Sequence, residues 1–174
     1  MSLPENDPVF TKQIIEFLTV SNEFCHFTEK VAEYSKEDII DYYRRILPLL
    51  YLKGSLVKSV TPSSPDDSER FVTEEEWELL FNTIRNKLYP DDHFWMSSDP
   101  HDEDAELEKA GIGECIADIY QDMKDFLTLY QKNRYTAKEN AVHDICTYYH
   151  DHWGPAATKA LYALHLLFQR SQSI

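Results

Sequence analysis

The stretch ECIADIYQDMKDFLTLY, residues 114–130, decides the fold. Ile116, Ile119, Tyr120, Met123, Phe126, Leu127 and Tyr130 recur at three- and four-residue intervals, the signature of one apolar helix face. Glu114, Asp118, Asp122 and Asp125 recur at i, i+4, i+8 and i+11. At 100° per residue these acids gather within about 80° of one another. One side of this helix is built for a core, and another carries a stripe of carboxylates. Asp122 is the acid nearest the apolar flank and the best placed of the four for burial.

The helical period continues in both directions from this segment. Upstream, Phe10, Ile14, Phe17, Leu18, Phe24, Cys25 and Val31 predict a helix from about Val9 to Tyr34, with Asp7 as its cap and Pro8 at its first position. Ser35 with Asp38 approximates a capping box that opens a second helix, for which Gly54 is a stop. Pro48 inside it predicts a kink or an early end, because its ring clashes with the carbonyl of Arg44. Thr73-Glu74-Glu75-Glu76 is a capping box for a third helix ending near Tyr89. Its stripe is Trp77, Leu80, Phe81 and Ile84. Gly111 and Gly113 leave the start of the fourth helix open between Ala105 and Glu114. Thr136 with Glu139 predicts the cap of a fifth helix over about 137–151. Gly154 ends it, and Pro155 opens a sixth that reaches about Arg170.

Between these helices lie a turn-rich loop over about 55–72 and a flexible acidic loop over about 91–108. The acidic loop holds eight Asp and Glu, no Lys or Arg, and the aromatic run Phe94-Trp95-Met96. No strand alternation longer than a few residues and no internal repeat appears. The expected architecture is all-α: one domain over residues 1–174, an irregular bundle of about six helices.

Composition bounds the function. The 174 residues suit one domain with a real core, and only 4 are Gly. With 17 Lys and Arg against 31 Asp and Glu, the net charge of −14 disfavours nucleic acid and anionic membrane surfaces. Cys25, Cys115 and Cys146 cannot all pair and sit without a CxxC neighbour, so they are expected to be reduced thiols in a cytoplasmic protein. No secretory leader is visible, and no apolar run approaches the roughly 20 residues of a membrane span.

Two constellations could carry chemistry. Asp118 and Asp122 on the fourth helix have the spacing to hold a divalent cation. Glu139, His143 and His150 on the fifth are spaced i, i+4 and i+11 and fall within about 40°, beside the stripe of Val142, Ile145, Cys146 and Tyr149. If the two sets converge, they form a metal site. A ferritin-like di-iron centre would need Glu-x-x-His twice, and here Glu-x-x-x-His occurs once. The competing account is a solvated carboxylate face and histidines edging the core. His152 and Trp153 belong, on their spacing, to the corner between the last two helices, and His165 to packing. Phe94, Trp95 and Met96 either anchor the acidic loop on the core or contact a partner. A pocket lined by Tyr42, Tyr120 and Tyr149 is a third possibility. No P-loop, GxGxxG, GxSxG or HExxH occurs.

The blocks PVFTKQIIEFLTVSNEFCHF (8–27), ADIYQDMKDFLTLYQ (117–131) and HWGPAATKALYALH (152–165) resemble the bacterial domain-of-unknown-function family 5063. The resemblance spans nearly the whole chain. It implies a single helical domain in a bacterial cytosol and carries no reaction, cofactor or catalytic residue with it.

The expected function is therefore a non-catalytic protein-interaction module with no cofactor. Its partner is unidentified, its oligomeric state is left open, and Phe94 to Met96 form its contact. The alternative is a divalent-metal-dependent, phosphohydrolase-like enzyme. It would use Asp118 and Asp122 with Glu139, His143 and His150.

Overall fold

The computed structural model describes residues 6–173. Six helices account for most of them: α1 Lys12–Glu29, α2 Lys36–Ser55, α3 Glu74–Leu88, α4 Ile112–Tyr130, α5 Tyr135–Asp151 and α6 Trp153–Gln172. Short 3-10 turns occupy Val31–Glu33 and Pro65–Asp67. Two strands, β1 His93–Ser97 and β2 Leu107–Gly111, pair antiparallel as a hairpin ahead of α4.

The mostly helical, single-bundle expectation holds, and α4 is its axis. This helix packs against α1, α3, α5 and α6 and buries Ile112, Ile116, Ile119, Met123, Phe126 and Leu129. Around its middle, Phe17 of α1 stacks on Trp153 at 5.7 Å and tilts against Phe126 at 5.4 Å. Trp153 is fully buried, and its Nε1 donates to the Ile145 carbonyl at 3.0 Å. A large aromatic buried this way fills the centre of the bundle and keeps its one polar atom satisfied. None of the described helices is long and apolar enough to cross a membrane.

Several helix ends differ from expectation for identifiable reasons. Thr11, not Asp7, caps α1, accepting from the Ile14 amide at 3.3 Å; Asp7 instead closes a preceding turn through the Val9 amide at 3.0 Å. The first helix stops at Glu29, and the Val31–Glu33 turn follows. Ser35 and Thr73 cap α2 and α3 as expected, the latter in a complete capping box with Glu76. Pro48 does not end α2, which continues to Ser55. It sits on the exposed face, where the carbonyl it orphans can turn to water. Gly54 is not a stop but a helical position, because a Cβ there would overlap the Trp153 ring.

The largest correction concerns residues 91–111. Instead of a flexible acidic loop there is the β1–β2 hairpin, with Trp95 opposite Lys109 and Ser97 opposite Leu107. Its base is fixed by buried Asp92, whose Oδ1 accepts from the Gly113 amide at 2.7 Å and whose carbonyl accepts from Ile112 at 3.0 Å. Asp92 thereby caps α4 from outside the helix, beside Gly111, which has no capping side chain.

Candidate functional site

Residues 56–73 have no helix beyond one 3-10 turn, yet they are bonded along α5 as a strap. Cys146 Sγ meets the Val57 carbonyl at 3.7 Å, and His143 Nδ1 meets the Val60 carbonyl at 3.2 Å. Glu139 accepts from the amide and hydroxyl of Ser63 at 3.2 and 2.7 Å. Asn140, 1 % exposed, donates to the Ser64 carbonyl at 2.8 Å, and Thr136 donates to Asp67. Ser68 donates to Asp144 at 2.6 Å. A polar loop that returns its backbone and hydroxyl groups to one helix face needs no core of its own.

Arg70 ends the strap as a clasp. Its Nη2 donates to Asp122 Oδ1 at 3.2 Å, and its Nε lies 2.8 Å from Asp125 Oδ2 as an ion pair rather than an aligned hydrogen bond. Its guanidinium also faces the Tyr148 ring at 4.7 Å. Asp125 Oδ1 accepts from the amides of Phe71 and Val72 at 2.8 and 2.9 Å. Asp122 and Asp125 are 1 % and 5 % exposed, so their charges require these partners. Burial holds the Asp125 carboxyl above the ordinary aspartate range, against the opposing pull of the Val72 and Phe71 amides and of Arg70.

On the other side of Asp122 stands the corner between α5 and α6. His152 Nδ1 lies 2.6 Å from Asp122 Oδ2, and its Nε2 lies 4.0 Å from Asp118 Oδ2. The bond to Asp122 raises the His152 imidazole above its usual value, against desolvation, with Asp118 adding to the rise and Arg70 opposing it. Asp118 accepts from Trp77 Nε1 at 3.0 Å; burial raises its carboxyl despite His152 and Trp77. Met96, Ala110, Asp118, His152, Pro155 and Lys159 line a cleft of about 310 Å³ between the hairpin and this corner.

The two sets of candidate ligands do not meet. Asp118 and Asp122 face the α5–α6 corner, whereas Glu139 and His143 bind the strap and His150 is exposed. Among the described residues, no three His, Cys, Asp or Glu side chains converge at a spacing suited to a metal ion. Glu139 and Thr136 are not a helix cap either, since α5 begins at Tyr135 and both side chains bond the strap. Tyr42 and Tyr120 line different clefts, and Tyr149 packs on Tyr51 and Trp153. The cysteines are free thiols; burial pushes Cys146 up to about 11 and Cys115 up to about 12, far from the thiolate form.

Sequence reasoning missed Arg70, placed Asp125 in the acidic stripe without choosing it as a site residue, and assigned His152 to a corner only. A signal existed for Arg70. It is the one Lys or Arg between Lys58 and Arg85, in a run holding seven acids.

Phe94, Trp95 and Met96 are divided by strand alternation. Phe94 packs on the core and Met96 faces the cleft, while Trp95 is 63 % exposed. Leu107, 69 % exposed, lies on the same sheet face as Trp95, diagonally across the ladder.

The fold and these contacts define a mostly helical single-domain protein in which a strap docks on α5, Arg70 clasps a buried acid pair on α4, and Asp92 ties a small hairpin to the start of α4. The chain belongs to the family described as domain of unknown function DUF5063, whose family model matches residues 8–169. It is similar to the crystal structure of protein BF1032 from Bacteroides fragilis, a Northeast Structural Genomics Consortium target. The two share 32 % identity and a TM-score of 0.82, over 92 % of this chain and 98 % of that one. No curated protein matches the chain.

Proposed function

We propose that this chain is a non-catalytic protein-interaction module and that the Trp95–Leu107 face of the hairpin is its contact surface. One observation carries the proposal: two large apolar side chains project together from one face of a sheet whose other face is anchored by Phe94. A solvent-facing pair on a hairpin anchored through Phe94 and Asp92 fits a binding surface better than a packing accident. The turn between the strands carries Asp99, Asp102, Glu103, Asp104 and Glu106 and no Lys or Arg. The matching partner is therefore a protein with an apolar pocket in a basic surface.

A photo-crosslinking amino acid at position 95 or 107 tests this in cells. It should capture one basic protein that, once purified, binds the wild-type chain and not Trp95→Ser. The same label at Tyr162, which is 59 % exposed on α6, should not capture it. Equal capture from position 162, or binding indifferent to Trp95→Ser, contradicts the proposal.

A further inference from the structure

The hairpin has only two strands among the described residues, so β1 has an outer edge without a neighbouring strand. The phase of the ladder tells which backbone groups lie there. The Ile112 amide donates to the Asp92 carbonyl and the Ser98 amide to the Glu106 carbonyl, each at 3.0 Å. In an antiparallel pair, hydrogen-bonded positions alternate with positions that point away. With the register His93 to Gly111 and Ser97 to Leu107, the residues bonding β2 are Asp92, Phe94, Met96 and Ser98. His93, Trp95 and Ser97 turn their N–H and C=O groups outward, and no described residue takes a backbone bond from them.

Natural edge strands are usually protected by charge, proline or a bulge. The sequence of β1, HFWMS, has no proline and no Asp, Glu, Lys or Arg. Two occupants could add a strand here. A second copy would bring its own net charge of −14 and its own acidic turn beside this one, and like charge opposes that pairing. An extended segment bearing Lys or Arg would instead face Asp99, Asp102, Glu103 and Asp104 at the turn, with apolar side chains against Trp95.

We infer that β1 accepts an extended basic segment of a partner protein, paired to its outer edge through the backbone of His93, Trp95 and Ser97. Main-chain bonds would supply affinity, and Trp95 with the acidic turn would supply selectivity. The inference rests on the contact surface proposed above and names how that surface is used.

The test uses the full chain and an alternating Lys–Val decapeptide, with an alternating Glu–Val decapeptide as control. The Lys–Val peptide should bind saturably and more weakly as salt rises, and the control should not bind. On binding, the amides of His93, Trp95 and Ser97 should become protected from hydrogen exchange, while those of Phe94 and Met96 are protected already. Ser97→Pro removes one outward donor and leaves the β1–β2 ladder intact, so it should weaken binding at least tenfold.

If the peptide binds without protecting the amides at 93, 95 and 97, and Ser97→Pro binds as the wild type does, strand addition is overturned. In that case loss of binding in Trp95→Ser alone leaves the side-chain contact surface standing. Failure of the Lys–Val peptide to bind, or equal binding of both peptides, also overturns the inference. The exchange pattern decides the matter even if Ser97→Pro unfolds the hairpin.

Discussion

Arg70 Nε stands 2.8 Å from Asp125 Oδ2, joining an 18-residue strap to the buried face of the central helix. Because Asp122 and Asp125 are almost wholly buried, removing Arg70 leaves Asp125 without its cation and Asp122 with His152 alone. Arg70→Met should destabilise the fold by about 2–4 kcal/mol, discounted from the roughly 3–5 kcal/mol of breaking a fully buried pair because the Arg70 side chain is itself 39 % exposed. Arg134→Met breaks only exposed pairs with Glu69 and Asp67 and should cost less than about 1 kcal/mol. Urea unfolding of both variants checks the contrast; equal effects would mean the clasp is ordinary surface charge.

His152 makes stability depend on pH. Four groups face it: Asp122, Asp118 and Arg70, with Tyr148 stacked edge-on at 6.3 Å. Its folded value is raised above the usual 6.5, so its contribution is complete below 6.5 and is lost as pH rises through the folded value. Asp118 and Asp125, also raised, act in the same sense: the folded chain takes up their protons first, and stability rises as pH falls through their folded values. Unfolding free energy should therefore decline from pH 6 to 9, and His152→Gln should flatten that decline. An unchanged slope in the variant would remove His152 from the account.

Gly54→Ala separates packing from helix propensity. Propensity alone predicts a gain of about 1 kcal/mol for replacing a helical glycine. A Cβ at this position would overlap Trp153, whose ring is already held by Phe17 and the Ile145 carbonyl. Overpacking should win, with a loss of about 1–3 kcal/mol in thermal or urea unfolding. A stabilised variant would show that the Trp153 ring shifts freely.

Glu139 holds the strap through Ser63. Glu139→Gln should speed hydrogen exchange across residues 59–66, because the charged acceptor of the Ser63 amide and hydroxyl is lost. Exchange in α4 should not change. Unaltered exchange at 59–66 would mean that the strap is held without these bonds.

The helices were legible because each buries a stripe at the helical period, and the strongest stripe belongs to the axis, α4. Local capping chemistry also placed the starts of α2 and α3. Two features escaped for the same physical reason: their partners are distant in sequence. Strand pairing in the hairpin is satisfied by residues about fourteen positions apart, with an acidic turn between them that reads as solvated loop. The strap has no periodicity, and its order comes from hydroxyls, amides and one arginine meeting α4 and α5 more than fifty residues away. Glu139 and His143 looked like ligands because they share a helix edge, and that edge is where the strap docks. Angular spacing also identified Asp122 as the acid closest to the core, but it gave no sign that His152 and Arg70 would compensate it.

The most direct measurement is the dissociation constant of the crosslinked partner for the wild-type chain and for Trp95→Ser, with melting temperature recorded for both. An exposed tryptophan at the centre of a contact surface predicts at least tenfold weaker binding, about 1.4 kcal/mol or more, with the melting temperature unchanged. Equal affinity for the two chains would contradict the assignment of the Trp95–Leu107 face as the place where this protein meets its partner.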